Sequence, residues 1–159
     1  IRFAQSLGVA FQLTNFIRDI NEDISMDPSR IYMPQNELEQ FNINLNEYKL
    51  TKKIDHKFIE FIEFQINKNK EIYKFSQIGI DNLNVSDKKA INLSKILYSK
   101  ILDKIQDKEY NLFDDKIRVN FLEKLWLVYT NLSFTLLITV IYNYISYSYF
   151  FYENFCSDN

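Results

Sequence analysis

Asn15, Asp19 and Asp23 stand four residues apart in the run Gln12-Leu13-Thr14-Asn15-Phe16-Ile17-Arg18-Asp19-Ile20-Asn21-Glu22-Asp23. On a helix, residues at that spacing stack along one face. An amide oxygen and two carboxylates then point the same way, with Arg18 and Glu22 beside them, also four apart. Hard oxygen donors of this kind suit Mg²⁺, with Mn²⁺ as an alternative. Mg²⁺ keeps several waters and is commonly shared between one or two carboxylates and substrate phosphates. Donors from one helix do not complete an octahedron, so the spacing points to a metal shared with a diphosphate group. A solvated acidic helix face has the same spacing, and D-x-x-x-D alone does not choose between the two.

The elements that must position these groups read as helices. Phe3, Leu7, Ala10, Leu13, Phe16, Ile17 and Ile20 recur with a helical period, predicting one helix over residues 2–23. Turn residues around Pro28 break it, and the stretch Arg30–Pro34 reads as extended, because the residue before a proline avoids the α region. A short helix should follow Pro34. Asn46 is the expected N-cap of a long helix over residues 47–78. Its buried stripe is Ile54, Phe58, Phe61, Ile62, Gln65, Ile66, Ile72 and Tyr73, and Gly79 is its expected stop. Ser86 or Asp87 opens the next helix, with Ala90, Leu93, Ile96, Leu97, Ile101 and Ile105 inward. Residues 107–115 are polar and read as a connection, and a helix resumes at Lys116.

The composition agrees with an all-α fold. Only 2 Gly and 2 Pro are available for sharp turns among 159 residues. Net charge is −2, from 19 basic and 21 acidic residues, which gives no basic field for nucleic acid. Cys156 has no partner for an internal disulfide, which suits a reducing, cytoplasmic compartment. The 14 Phe and 11 Tyr suit a wide apolar cavity, or reflect a biased composition. His56 lies in a charged stretch and reads as exposed, and Gln65 reads as a core amide. The first residues, Ile1-Arg2-Phe3-Ala4, read as a helix already under way, so a fragment lacking an N-terminal part is expected. No secretory leader is visible.

The last segment differs from the rest. No charge occurs between Lys124 and Glu153, and Leu136–Ile141 is strongly apolar. A bilayer requires about 20 apolar residues as a helix. Thr, Asn, Ser and Tyr interrupt the run, so a membrane-embedded helix and a buried terminal helix are both open readings. Two regions follow: residues 1–125, and a helical segment over 126–159, uncharged as far as Tyr152, that is a candidate for membrane association.

The wider motif is more specific than the carboxylate pair. Leu7-Gly8-Val9-Ala10-Phe11-Gln12-Leu13-Thr14-Asn15-Phe16-Ile17-Arg18-Asp19-Ile20-Asn21-Glu22-Asp23, followed by Arg30-Ile31-Tyr32-Met33-Pro34, resembles the squalene/phytoene synthase family. Its second aspartate-rich motif has the form LGxAxQLTNIxRDxxED, then RxYLPxxxL. Phe61–Gln65 with Gly79-Ile80, then Leu97-Tyr98-Ser99-Lys100-Ile101-Leu102, resemble later elements of the family. So do Tyr110-Asn111-Leu112-Phe113, Val119 and Lys124-Leu125, and the likeness spans about residues 4–125.

The resemblance implies an isoprenoid-synthase-type helical bundle, here incomplete, and a prenyltransferase of carotenoid or isoprenoid biosynthesis. Such enzymes join two prenyl diphosphates head to head: one ionises with Mg²⁺ assisting, and the carbocation attacks the double bond of the other. By that similarity Asn15, Asp19 and Asp23 bind the metal, and Gln12 lines the cavity near the reacting carbons. Arg18 pairs with phosphate or Glu22. Tyr98 donates to a diphosphate oxygen, and Lys116 and Lys124 neutralise departing charge. Arg30 binds diphosphate or, with Tyr32, pins the loop.

The stretch Arg30-Ile31-Tyr32-Met33-Pro34-Gln35 favours the phytoene-like branch, using geranylgeranyl diphosphate. Squalene- or dehydrosqualene-type use of farnesyl diphosphate is the alternative. A non-catalytic scaffold relative is a third reading, which the intact aspartates oppose. The family often has Arg where Lys116 stands, and the loop Ile24–Ser29 is longer than usual. The family also needs a first aspartate-rich motif on an earlier helix. None is present, and Asp114-Asp115 are adjacent and point apart, so this chain alone is expected to be inactive.

Overall fold

The computed structural model describes residues 1–131, and among them every regular element is a helix. The chain divides into two compact units, Ile1–Asn120 and a second that begins at Phe121. In the first, α1 (Arg2–Arg18) and α2 (Ile20–Ser25) lead to α3 (Gln35–Gln40), α4 (Leu45–Thr51), α5 (His56–Asp81) and α6 (Val85–Asp107). α1 packs along α5 and α6, α5 also meets α6, and α2 rests on α4.

The long α5 forms because buried residues recur at three and four: Phe58, Phe61, Ile62, Gln65, Ile66, Asn69, Tyr73, Ser76 and Ile80. Asp55 caps its start, accepting the Phe58 amide at 3.0 Å. That cap splits the helix expected over 47–78. Lys52 sits in the left-handed region at φ 49°, closing α4, and Asp55 restarts the chain as α5. Asn44, not Asn46, caps α4, its side chain accepting the Asn46 amide at 3.1 Å. Likewise Asn84 caps α6 by accepting the Asp87 amide at 2.9 Å, so that helix begins at Val85, just ahead of the expected start.

Gly79 does not stop α5, which runs on to Asp81. Its missing side chain serves packing instead. A Cβ at Gly79 would lie 2.2 Å from the Phe3 Cβ, so only glycine lets α1 approach α5 there. Phe3 then packs against Phe75, ring centroids 5.0 Å apart and the rings tilted by 42°.

A buried polar cluster fixes α1 on α5 in register. Thr14 Oγ1 donates to Ala10 O at 2.9 Å and pairs with the Tyr73 hydroxyl at 2.8 Å. Asn69 Nδ2 donates to Thr14 Oγ1 at 2.9 Å and to Ala10 O at 3.1 Å. Gln65 is buried as expected, and its Nε2 donates to Glu37 Oε2 at 2.6 Å, while its Oε1 has no partner. Lys68 pairs with the other oxygen of Glu37.

The helix expected from Lys116 begins only at Phe121. Glu109 and Tyr110 take positive φ of 52° and 62°, turning the chain out of α6. Residues 111–120 hold no helix, and Ile117 and Val119 are buried while Arg118 and Asn120 are exposed. That alternation is the period of extended chain. α7 (Phe121–Asn131) begins after it. Among the described residues no helix is long and apolar enough to cross a membrane. Most of the uncharged segment lies outside the described residues.

Candidate functional site

The single helix expected over residues 2–23 is bent at Asp19, where φ is −95° and ψ 8°. Backbone bonding continues through the bend. The Asp19 amide donates to Asn15 O at 2.8 Å, and the Asp23 amide to Asp19 O at 2.9 Å. Asn15, Asp19 and Asp23 therefore stay on successive turns, each half-buried. The bend has a side-chain counterpart. Arg18 Nε donates to Asp19 Oδ1 at 2.8 Å, and Arg18 Nη2 to Oδ2 at 2.6 Å. Neighbouring residues do not face each other on a regular helix. The departure from helical geometry at Asp19 accompanies this fork.

Lys116 comes to the same carboxylate from the far end of the unit. Its Nζ lies 3.1 Å from Asp19 Oδ1 and 2.5 Å from Glu22 Oε2. Glu22 thus pairs with Lys116, and Arg18 with Asp19, rather than the two with each other. The 111–120 segment is held there by Asn21, whose Nδ2 donates to Phe113 O at 3.2 Å. Phe113 itself is buried between Phe58 and Tyr48, with ring centroids 5.1 and 6.5 Å away.

These pairings set the charge states. Burial works to raise the Asp19 carboxyl, but the hydrogen bonds from Arg18 and Lys116 outweigh it and hold it below the usual range. The bond to Glu22, then that to Asp19, raises the Lys116 ammonium above its ordinary value against burial. Asp23 goes the other way: burial first, then the Asp19 charge, push it up, and Arg30 only partly offsets them. Two carboxylates that repel each other are a condition a divalent cation relieves, and oxygen donors are the kind Mg²⁺ takes. The residues fit the ion in chemistry. As arranged, no group of three His, Cys, Asp or Glu among the described residues is set to hold a metal.

The remaining candidates are placed as follows. Gln12 is exposed on α1. Tyr98, on α6, packs on Phe11 with ring centroids 4.4 Å apart. Arg30 is exposed, its amide donating to Asp23 O at 2.9 Å. Tyr32 stacks on Phe16 at 4.6 Å, holding the loop against α1. Lys124 is exposed on α7, in the second unit. His56 is 84% exposed and pairs with Glu60 at 3.2 Å, away from the site as expected. Sequence reasoning missed Asn21 as a tether, although it lies inside the motif. It also missed Asn69, whose position in the inward stripe of α5 was the available signal.

Comparison with known proteins follows the same residues. The squalene/phytoene synthase family profile matches residues 1–123. The 15-cis-phytoene synthase of Synechococcus elongatus is 34% identical over 122 residues, covering 77% of this chain and 39% of that protein. A chloroplastic phytoene synthase of an Oncidium hybrid cultivar is 34% identical over 125 residues, covering 79% of this chain and 30% of that protein. The chain thus spans between 30% and 39% of the length of these two relatives. Among solved structures, a dehydrosqualene synthase crystallised with ligand matches with a TM-score of 0.72 and 25% identity, over 81% of this chain and 44% of that one. The helical architecture is that of an isoprenoid synthase. By sequence and fold together, the chain belongs to the squalene/phytoene synthase family.

Proposed function

We propose that this chain forms one wall of a site that joins two prenyl diphosphates head to head, with geranylgeranyl diphosphate as substrate and phytoene as product. The observation that carries this reading is the meeting of Lys116 with Asp19 and Glu22, which places cations and carboxylates from distant parts of the chain at one point. Asn15, Asp19 and Asp23 would hold Mg²⁺, or Mn²⁺, which when bound supplies Lewis-acid charge to the departing diphosphate.

The chain's own residues do the rest. Lys116, Arg18 and Arg30 would offer positive charge to the diphosphate oxygens. Charge-assisted bonds of this kind shorten and strengthen as negative charge develops on the leaving group. Tyr98 would donate to one of those oxygens. Gln12, on the same helix, would face the reacting carbons, with Phe11 and Phe16 as apolar neighbours. The C–O bond of one substrate breaks with its electron pair leaving on diphosphate. The double bond of the second substrate attacks the allylic cation, and loss of a proton from the adduct closes a cyclopropane that still carries the second diphosphate. Departure of that diphosphate and of a second proton completes the route to phytoene.

The dehydrosqualene synthase likeness favours a second reading in which farnesyl diphosphate is the substrate. The relatives' greater length supports the proposal that residues 1–159 alone are inactive. The uncharged stretch after Lys124 supports a membrane-associated protein, tested by carbonate extraction. The deciding experiment incubates the complete gene product with each prenyl diphosphate and Mg²⁺, beside Asp19→Asn. Release of diphosphate by the wild type alone supports the proposal, and no release from either substrate sinks it.

A further inference from the structure

The charges gathered at the bend cancel. Asp19, Glu22 and Asp23 are carboxylates, and Arg18, Lys116 and Arg30 are cations acting on them. Both oxygens of Asp19 already accept from cations: Arg18 and Lys116 on Oδ1, Arg18 on Oδ2. We propose that Lys116 is a built-in counter-cation of Asp19. It must let go before that carboxylate can serve a divalent metal, so metal and diphosphate bind as a pair rather than metal first. The proposal rests on the reading of Asn15, Asp19 and Asp23 as a metal–diphosphate wall.

The argument is electrostatic. A divalent ion approaching Asp19 meets two positive groups already within hydrogen-bond reach of that side chain, and like charges at such range oppose each other. A cluster that sums to zero offers no net attraction to a cation alone. A diphosphate reverses the balance. It offers Lys116 acceptor oxygens of higher charge than a shared carboxylate, so the ammonium moves to phosphate as Asp19 is released.

Lysine suits this exchange. Its ammonium is a point charge with rotatable donors on a flexible stem, and it surrenders no bidentate geometry in moving. Its backbone lies in the irregular 111–120 segment, and its side chain is 28% exposed, leaving room to swing.

The test titrates the complete gene product by calorimetry with MgCl₂ alone, inorganic pyrophosphate alone, and both together. For the wild type, pyrophosphate should raise Mg²⁺ affinity by about fivefold or more, and Mg²⁺ should raise pyrophosphate affinity by the same factor. Lys116→Met should bind Mg²⁺ alone about fivefold more tightly and pyrophosphate alone more weakly, so the coupling shrinks. Lys116→Arg should keep the wild-type order. Lys116→Gln stands in if circular dichroism shows that the Met variant does not fold. Unchanged or weaker Mg²⁺ binding in the Lys116 variants, with binding abolished in Asp19→Asn, overturns the counter-cation role alone. Intact Mg²⁺ and pyrophosphate binding in Asp19→Asn overturns the site reading as well.

Discussion

Lys116 and Glu22 are 94 positions apart in the chain, and their side chains meet at 2.5 Å. The meeting is arranged by backbone, not by the pair itself. The positive-φ residues Glu109 and Tyr110 turn the chain after α6, and burial of Phe113, Ile117 and Val119 draws it across the core. A partly exposed ion pair is worth little on its own, so the segment is held by this burial and by Asn21.

Asn21 is therefore expected to act as a positioning residue. Asn21→Ala removes the bond to Phe113 O and loosens the segment that carries Lys116. A lost hydrogen bond of this type is worth about 1 kcal/mol, or about fivefold. In the proposed prenyl-transfer reaction of the complete gene product, KM for the prenyl diphosphate should rise by that factor with kcat little changed. Equal loss of kcat and kcat/KM would assign Asn21 to the chemical step instead.

Gly79→Ala should destabilise the protein, against the ordinary preference of a helix interior for alanine. That preference is worth about 1 kcal/mol in alanine's favour. The new Cβ meets Phe3 Cβ at 2.2 Å, and overpacking of a close contact costs about 1–3 kcal/mol. Melting of the single variant should fall, and Phe3→Gly, which removes the opposing Cβ, should recover part of it in the same background. A Gly79→Ala protein that melts higher than wild type would refute the close-approach explanation.

The polar cluster between α1 and α5 predicts an order of effects. Thr14→Val leaves both the Tyr73 hydroxyl and Asn69 Nδ2 short of a partner inside a dry core, at about 1–3 kcal/mol. Tyr73→Phe removes one hydroxyl and leaves the Asn69 and Ala10 bonds standing, at about 0.5–1.5 kcal/mol. Thermal melts should rank wild type above Tyr73→Phe above Thr14→Val. The reverse ranking would mean that the cluster is not held through Thr14.

Stability should also fall at high pH. Burial, only partly opposed by the Thr14 contact, pushes the Tyr73 phenol up to about 12, from 10.0 in the unfolded chain. The folded state thus keeps a proton that the unfolded state gives up first. The stabilisation is intact below about pH 10 and is lost as pH rises toward about 12. Tyr48, raised by burial and by its bond to Asp55, adds in the same direction. The melting midpoint should drop between about pH 10 and about pH 12, and Tyr73→Phe should flatten part of that drop. An identical slope in the variant would remove Tyr73 from the account.

Local order in this protein was written into short spans of sequence. The helical period placed α1, α5 and α6, and the asparagine and aspartate caps stand within a few residues of where turn chemistry puts them. The motif from Leu7 to Asp23 named the family and supplied the residues proposed for one wall of the site, because spacing by fours is a property of one helix and requires no partner. What tertiary structure decided was which cation serves which carboxylate. Arg18 turned to its neighbour Asp19 where the helix bends, and Glu22 took Lys116. The break at Lys52 and the continuation past Gly79 were decided by a cap at Asp55 and a ring at Phe3, contacts a one-dimensional pattern does not rank. Ion pairs depend on distance in space, and 94 residues of chain lie between Lys116 and its partner, so only the packed core could bring them together.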